Sequence, residues 1–470
     1  MIGSSRMHHR PYIRACEQTA GGRPYITRII PCACGFSLSF IDDAAPLTAH
    51  VLFWRSRADE HFQSQPLSAF SATVDGLNQN EEYECYVARA DGTQSPHRLV
   101  KSGKQPPSSI IVDYLHPDDM IFDFSGRALG APALVRLPSG ALLAADCVFC
   151  DRTAWPSLPN LSRLFRSEDE GITWSYVCDL LPSFNGSLFV HRERLYFLAL
   201  DGDYCNLIIT ASDDEGYSWS NPVTLFRGES THRWGWHSSA MPPLEHNGRL
   251  YKAIEFGHVA EYGTHGEDAP AGAWCHNGLY FDLSHRLGIL SIGADDDLLL
   301  AENWRMTELY DPKDVDPYQC IEGNMVERDG HLFNILRTMR TGISLQMTVA
   351  PHPEQIMDSP VMLTEFPLSA VSKFEIKKDP QSSVYIALGN DSQYKRKRLV
   401  MAVSNDLNTW RIVYEIADAR GTEDAYSYPD FIFSGEDILL LSRTAYNGAK
   451  NNHDTNMITF HKIKNFRQYL

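Results

Sequence analysis

From about residue 110 onward, short apolar stretches alternate with polar positions, and each stretch opens on a polar turn. The pattern is written LPSGALLAAD (137–146), HRERLYFLAL (191–200), HNGRLYKAIE (246–255), RDGHLFNILR (328–337), PQSSVYIALG (380–389) and SGEDILLLSR (434–443). Alternation with period two, bounded by Gly, Asp, Asn and Ser, predicts half-buried antiparallel strands rather than helices. Consecutive copies stand 52 to 55 residues apart, except for one step of 82. Each unit has room for four strands, which in the first read PALVRL, ALLAAD, SRLFRS and WSYVCD. An all-β chain of such units predicts a β-propeller, which protects its sheet edges by radial repetition. The count is six blades with a long insertion around residues 253–274, or seven if the long step holds two compressed blades.

The residues before about 108 fall outside this period. YITRIIPCACGFSLSFI, TAHVLFW, FSATVDGL and EYECYVARADG read as short antiparallel strands, and KSGKQPPSS (101–109) reads as a linker. The run SATVDGLNQNEEYECYV resembles the middle of a fibronectin type III-like β-sandwich. The expected organisation is a sandwich over 1–105 followed by a propeller over 110–470.

A second repeat lies inside the first. SEDEGITW (167–174) returns 45 residues later as SDDEGYSW (212–219), with a shorter relative SNDLNTW at 404–410. Asp and Gly suit a tight turn in which the carboxylate accepts from nearby backbone amides. Ser-x-Asp-x-Gly-x-(Thr/Ser)-Trp resembles the Asp box of the sialidase superfamily, a turn between the third and fourth strands of a blade. The resemblance implies that Asp169, Asp214 and Asp406 are scaffold, on the rim away from the substrate funnel.

Composition narrows the function classes. The chain carries 42 basic against 59 acidic residues, a net charge of −17, which disfavours nucleic acid as a main partner. No stretch approaches the 18 or so apolar residues of a membrane span, and the N-terminal residues contain no apolar signal core. The cytoplasm is the expected location. The ten cysteines are scattered and read as free thiols. No cofactor or metal site is indicated, and neither a structural calcium ion nor an oligomeric state can be read from the residues.

In a propeller the inner strand of each blade begins at the funnel and the second strand ends there. Those positions give a set rich in Arg, His, Tyr and carboxylate. The sialidase pattern Arg-Ile-Pro-Ala-Leu, whose Arg helps grip a substrate carboxylate, becomes GAPAL here, with Gly130 in the Arg position. CIEGNMVERDGHLFNILR resembles the stretch that supplies the Glu partner of a catalytic Tyr, here Glu322, and a carboxylate-binding Arg, here Arg337. Tyr426 or Tyr428 would then be the nucleophile, with Arg443 on the adjacent strand. WGWHSSAMPPLEHNGRLYKAIE and SRTAYNGAKNNHDTN are similar to propellers that cleave uronate glycans, such as ulvan lyases and rhamnose–glucuronate-cleaving enzymes.

The resemblance therefore implies an enzyme cleaving an acidic-sugar linkage in an oligosaccharide or polysaccharide, as lyase or exo-glycosidase. A sialidase with a substituted arginine and a non-catalytic glycan-binding propeller are the alternatives. The candidate catalytic residues are His237, Tyr428, Glu322, Arg337 and Arg443. His237 enters because imidazole titrates near working pH, and the arginines because guanidinium forks match carboxylates. Candidate substrate-binding residues are Arg127, Asp146, His258, Asn324, Arg340, Tyr446 and His453.

Overall fold

The computed structural model describes residues 22–119, 128–149, 160–202, 204–228, 234–261, 274–276, 279–315, 320–357, 360–368 and 372–470. Strands dominate, and the helical segments described are short 3-10 turns. No described helix is long and apolar enough to cross a membrane.

Strands between residues 25 and 101 form two sheets, one of three strands and one of four. Alternating residues such as Ile29, Phe36, Leu38, Leu52, Trp54, Cys85 and Val87 meet between them in one apolar core. The next strand, Ile110–Tyr114, leaves this unit and pairs with Met457–Ile463 near the other end of the chain. The last sheet of the larger unit is thus completed by its first strand, which ties the two ends together.

Among the described residues the larger unit holds six sheets, over 128–180, 184–226, 234–306, 321–365, 375–418, and 425–463 with Ile110–Tyr114. Five have four strands, in sequence order in all but the sixth, whose outer strand is Ile110–Tyr114. The third carries six, because Arg249–Glu261 and Leu279–Gly293 are long and pair with extra short strands. The insertion therefore extends one sheet. Inner strands of the first and second sheets touch, as do those of the fourth, fifth and sixth, and Arg249–Glu261 of the third meets the inner strand of the fourth. The inner strand of the sixth, Ala425–Ser434, returns to that of the first, Ala128–Arg136. Closure of this kind is the arrangement of a β-propeller.

The inner ring is stitched by buried polar groups. The Lys252 ammonium donates to Ser187 Oγ, Ser239 O and Met241 O at 3.1, 3.0 and 2.6 Å, joining the second and third sheets. Burial pulls its pKa down to about 7. The Asn324 amide donates to Phe374 O at 3.3 Å and its oxygen accepts from Ile376 N at 2.9 Å, joining the fourth and fifth. Asp430 accepts from Leu134 N, joining the sixth and first.

The Ser-Asp-Gly-Trp turns lie between third and fourth strands and fold almost identically. In the first, Asp169 accepts from the Thr173 amide at 2.8 Å and its hydroxyl at 2.6 Å, while Ser167 Oγ accepts from Gly171 N at 2.9 Å. In the second, Asp214 accepts from Ser218 N and Oγ at 2.7 and 2.6 Å. Asp406 repeats the amide contact with Thr409 at 2.7 Å. The Trp174, Trp219 and Trp410 indoles each donate to a carbonyl three residues back at 3.0 Å. Trp174 then packs on Phe460 of the sixth sheet, and Trp219 on Phe197 of its own. A Cβ on Gly171 would lie 2.3 Å from the Phe460 ring.

Candidate active site

Three inner strands, Phe184–His191, Ile321–Arg328 and Ala425–Ser434, share one irregularity. Their pairing slips between Phe184 and Ser187, between Ile321 and Asn324, and between Ser427 and Asp430. The first residue inside each slip has a positive φ: Asn185 at 46°, Glu322 at 60° and Tyr428 at 53°. A β-bulge inserts one residue and re-aims its side chain out of the strand's alternation. A left-handed Glu or Tyr costs about 1–3 kcal/mol and persists only where the surroundings over-determine it.

Two of these residues meet. The Tyr428 phenol stands beside the Glu322 carboxylate, which accepts from Arg337 Nε at 2.7 Å. Burial alone would raise the Glu322 pKa. Arg337, His237 and Tyr428 outweigh it and hold the carboxyl below the ordinary range. Tyr428 is flanked by two further guanidiniums, with Arg396 and Arg443 placing their Cζ atoms 5.3 and 5.2 Å from its ring centroid. Arg396 donates to Ser427 Oγ at 3.1 Å. Burial draws its pKa down to about 10, with Arg443 and Arg337 adding to that and Tyr428 opposing it. Arg443 also stands over the Phe149 ring and donates to the His453 carbonyl. Its buried Nε–H has no acceptor among the described residues.

A second group borders the first. His237 Nδ1 lies 3.0 Å from Glu255 Oε2, and Glu255 Oε1 accepts from Gly323 N at 3.3 Å, next to Glu322. Donation of Nδ1–H to a carboxylate fixes the tautomer with the acceptor lone pair on Nε2. Three arginines thus stand against Glu322 and Glu255, an excess of one positive charge before His237 is counted. Arginine clusters of this kind suit a planar carboxylate.

The other sequence candidates are distributed as follows. Tyr426, two residues before Tyr428, is buried in apolar core against His461. Asp146 lies in a buried cluster with Asp113, Arg163 and Asp179, where burial first and then Asp113 raise its pKa well above the ordinary range. Arg163 donates there to Asp113 at 3.0 Å and to the Thr27 carbonyl of the N-terminal unit. Near this cluster Arg28, which is not one of those candidates, donates to the Ile111 and Val112 carbonyls at 2.6 and 2.8 Å. Asn324 is occupied by the backbone bonds described above. Tyr446 packs against the apolar core of the N-terminal sheets. His453 pairs with Asp454 at 2.8 Å on an exposed loop. Arg340 is half-buried in the turn after His331–Arg337. His258 sits on Arg249–Glu261 opposite Trp234, with its side chain outside the described residues, as is all of Arg127.

Sequence reasoning passed over Arg396, Tyr204 and His285. Arg396 belongs to the run YKRKR just past a second-strand end, so its signal was a basic cluster at the mouth of an acidic protein. Tyr204 Oη lies 3.0 Å from His285 Nε2, and the Tyr204 ring stacks on His237 with centroids 5.6 Å apart. No group of three or more His, Cys, Asp or Glu side chains among the described residues is arranged to hold a metal ion.

No protein-family model and no curated protein sequence matches the chain. Solved structures do. An α-L-arabinanase of Penicillium chrysogenum aligns with a TM-score of 0.51 at 13% identity, over 78% of this chain and 100% of its own. A leech intramolecular trans-sialidase aligns at 0.52 and 10% identity, over 97% and 93%. The Hadza microbial sialidase Hz136 aligns at 0.50 and 14%, over 95% of each. At such identities the likeness is one of fold: this chain shares the β-propeller architecture of these glycan-processing enzymes.

Proposed function

We propose that the chain is a carbohydrate-active enzyme that cleaves a glycosidic linkage next to an acidic sugar. The observation carrying this reading is the convergence of Arg337, Arg396 and Arg443 around Tyr428, which stands beside Glu322. The arginines hold the sugar carboxylate, with Arg396 joining Arg337. Arg443, from the second strand of the sixth sheet, is the third, where the first blade offers Gly130. Glu322 accepts the Tyr428 proton as the phenolic oxygen attacks the anomeric carbon. His237, doubly protonated and held through Nδ1 by Glu255, gives its Nε2 proton to the departing oxygen. The neutral imidazole then takes a proton from the water that displaces Tyr428, whose oxygen recovers its proton from Glu322.

The same pair, His237 and Glu255, supports a second reading as a uronate lyase. There His237 Nε2 removes the proton beside the carboxylate, Tyr428 protonates the leaving oxygen, and the arginines neutralise the carboxylate. Incubation with sialosides and uronate-containing oligosaccharides separates the outcomes. A hydrolase yields new reducing ends without an ultraviolet-absorbing product, and a lyase yields the unsaturated uronate. Free sialic acid would identify a sialidase, and no product across the panel would leave a glycan-binding propeller. The three- and four-stranded sheets over 25–101 support a fibronectin type III-like module, divided from the propeller near 101–110.

A further inference from the structure

Tyr204 is held where chance would not put it. It lies in the loop after Arg194–Leu200, in the second sheet, yet its side chain reaches into the third. Its φ is 52°, a left-handed conformation that a bulky residue adopts at a cost. Room for its ring exists because residue 257 is glycine: a Cβ there would stand 2.3 Å from the Tyr204 ring and 3.0 Å from the His285 ring. The phenol is 6% exposed and its oxygen meets His285 Nε2 at 3.0 Å. The ring lies against His237 at 28° to the imidazole plane, and the His285 ring meets His237 edge-on at 5.6 Å. Strain, a glycine slot and a buried hydroxyl–imidazole bond therefore converge on one histidine.

We propose that Tyr204 and His285 are a positioning pair for His237, with the Tyr204 hydroxyl donating to His285 Nε2 so that both rings wall the His237 imidazole. The pair keeps water off two sides of His237, leaving Glu255 on its Nδ1. The charged and titratable groups seen against this imidazole among the described residues each have a part. Glu255 comes from Arg249–Glu261, Tyr204 from the second sheet, His285 from Leu279–Gly293, and Glu322 and Arg337 from the fourth sheet. Burial, and then the neighbouring His237 and Arg337 charges, keep His285 neutral by holding its pKa well below 6.5. A neutral His285 accepts from Tyr204 and does not compete with His237 for the proton. The positioning role rests on the acid–base part assigned to His237 above, but the walls themselves do not.

The test reads His237 directly. Imidazole NMR of full-length protein follows its tautomer and titration in wild type, Tyr204→Phe and His285→Gln. Tyr204→Phe keeps the ring and removes the donor, so water enters beside a histidine that was dry. The His237 midpoint should rise by about half a pH unit or more, because hydration favours the charged form. On a cleaved glycan, kcat should fall about tenfold with KM little changed, a fraction of what a positioned acid–base group contributes. His285→Gln leaves an amide oxygen to accept from Tyr204, and its His237 titration should stay near wild type. An unchanged His237 titration in Tyr204→Phe overturns the proposal, as does an equal displacement in His285→Gln. If wild type cleaves no glycan while Tyr204→Phe still moves the titration, the pair stands and the enzymatic reading falls.

Discussion

Two sets of repeated left-handed residues divide the labour of this propeller. In the Ser-Asp-Gly-Trp turns, Glu170, Glu215 and Leu407 have φ of 58°, 58° and 61°, and in the inner bulges Asn185, Glu322 and Tyr428 have 46°, 60° and 53°. The turns repeat backbone together with the Ser, Asp and Trp side chains, and each aspartate is satisfied within its own few residues. The bulges repeat the backbone alone. Their side chains differ, and Glu322 is satisfied by Arg337 from a neighbouring strand while arginines from elsewhere in the chain flank Tyr428. A locally closed motif builds scaffold, whereas a backbone device loaded with different side chains builds a site.

That contrast predicts a separation between activity and stability. Tyr428→Phe and Glu322→Gln should each lower kcat by about a thousandfold or more, since a nucleophile and its base act as one unit. The melting temperature of Tyr428→Phe should stay near wild type. Arg443→Ala should cost about a hundredfold in kcat/KM, the worth of one or two charge-assisted hydrogen bonds. Full activity in that variant would remove the sixth sheet from the carboxylate grip. Gly171→Ala should lose roughly 2–4 kcal/mol of stability through a left-handed alanine and a clash with Phe460. The measurement is chemical denaturation, with kcat of the remaining folded protein unchanged.

The pH dependence sharpens the same division. Glu322 is held below its unfolded value of 4.5, so the native state binds fewer protons there than the unfolded one. Its contribution to stability is full above about pH 4.5 and is lost as the pH falls through the lower folded pKa. Glu322→Gln should therefore flatten the acid limb of melting temperature against pH. Asp214, also held low, by its own turn, should give the smallest effect. Asp214→Ala is expected to lower the melting temperature by a few degrees and leave turnover untouched.

Much of the ring was legible in the sequence because strand alternation and turn chemistry are local. The same locality made SEDEGITW and SDDEGYSW readable as one turn. Glu322, Arg337, Tyr428 and Arg443 could be picked as strand starts and ends, and the fold brings them together. Arg396 escaped because it lies in a turn, past the strand end that the period marks. Tyr204 and His285 escaped for a different reason. They come from separate sheets, and their pairing depends on a glycine slot that no spacing announces. Asp146 shows the opposite failure: a strand-end carboxylate that the fold turns into the junction with the N-terminal unit, against Arg163.

The central claim is that the arginines around Tyr428 recognise a carboxylate. The most direct measurement compares kcat/KM on an acidic oligosaccharide with that on the same oligosaccharide after its carboxylate is reduced to an alcohol. Loss of about a hundredfold or more on the reduced glycan, with Arg443→Ala cleaving both forms equally poorly, is the predicted result. Equal cleavage of the acidic and reduced glycans by the wild-type protein would contradict it.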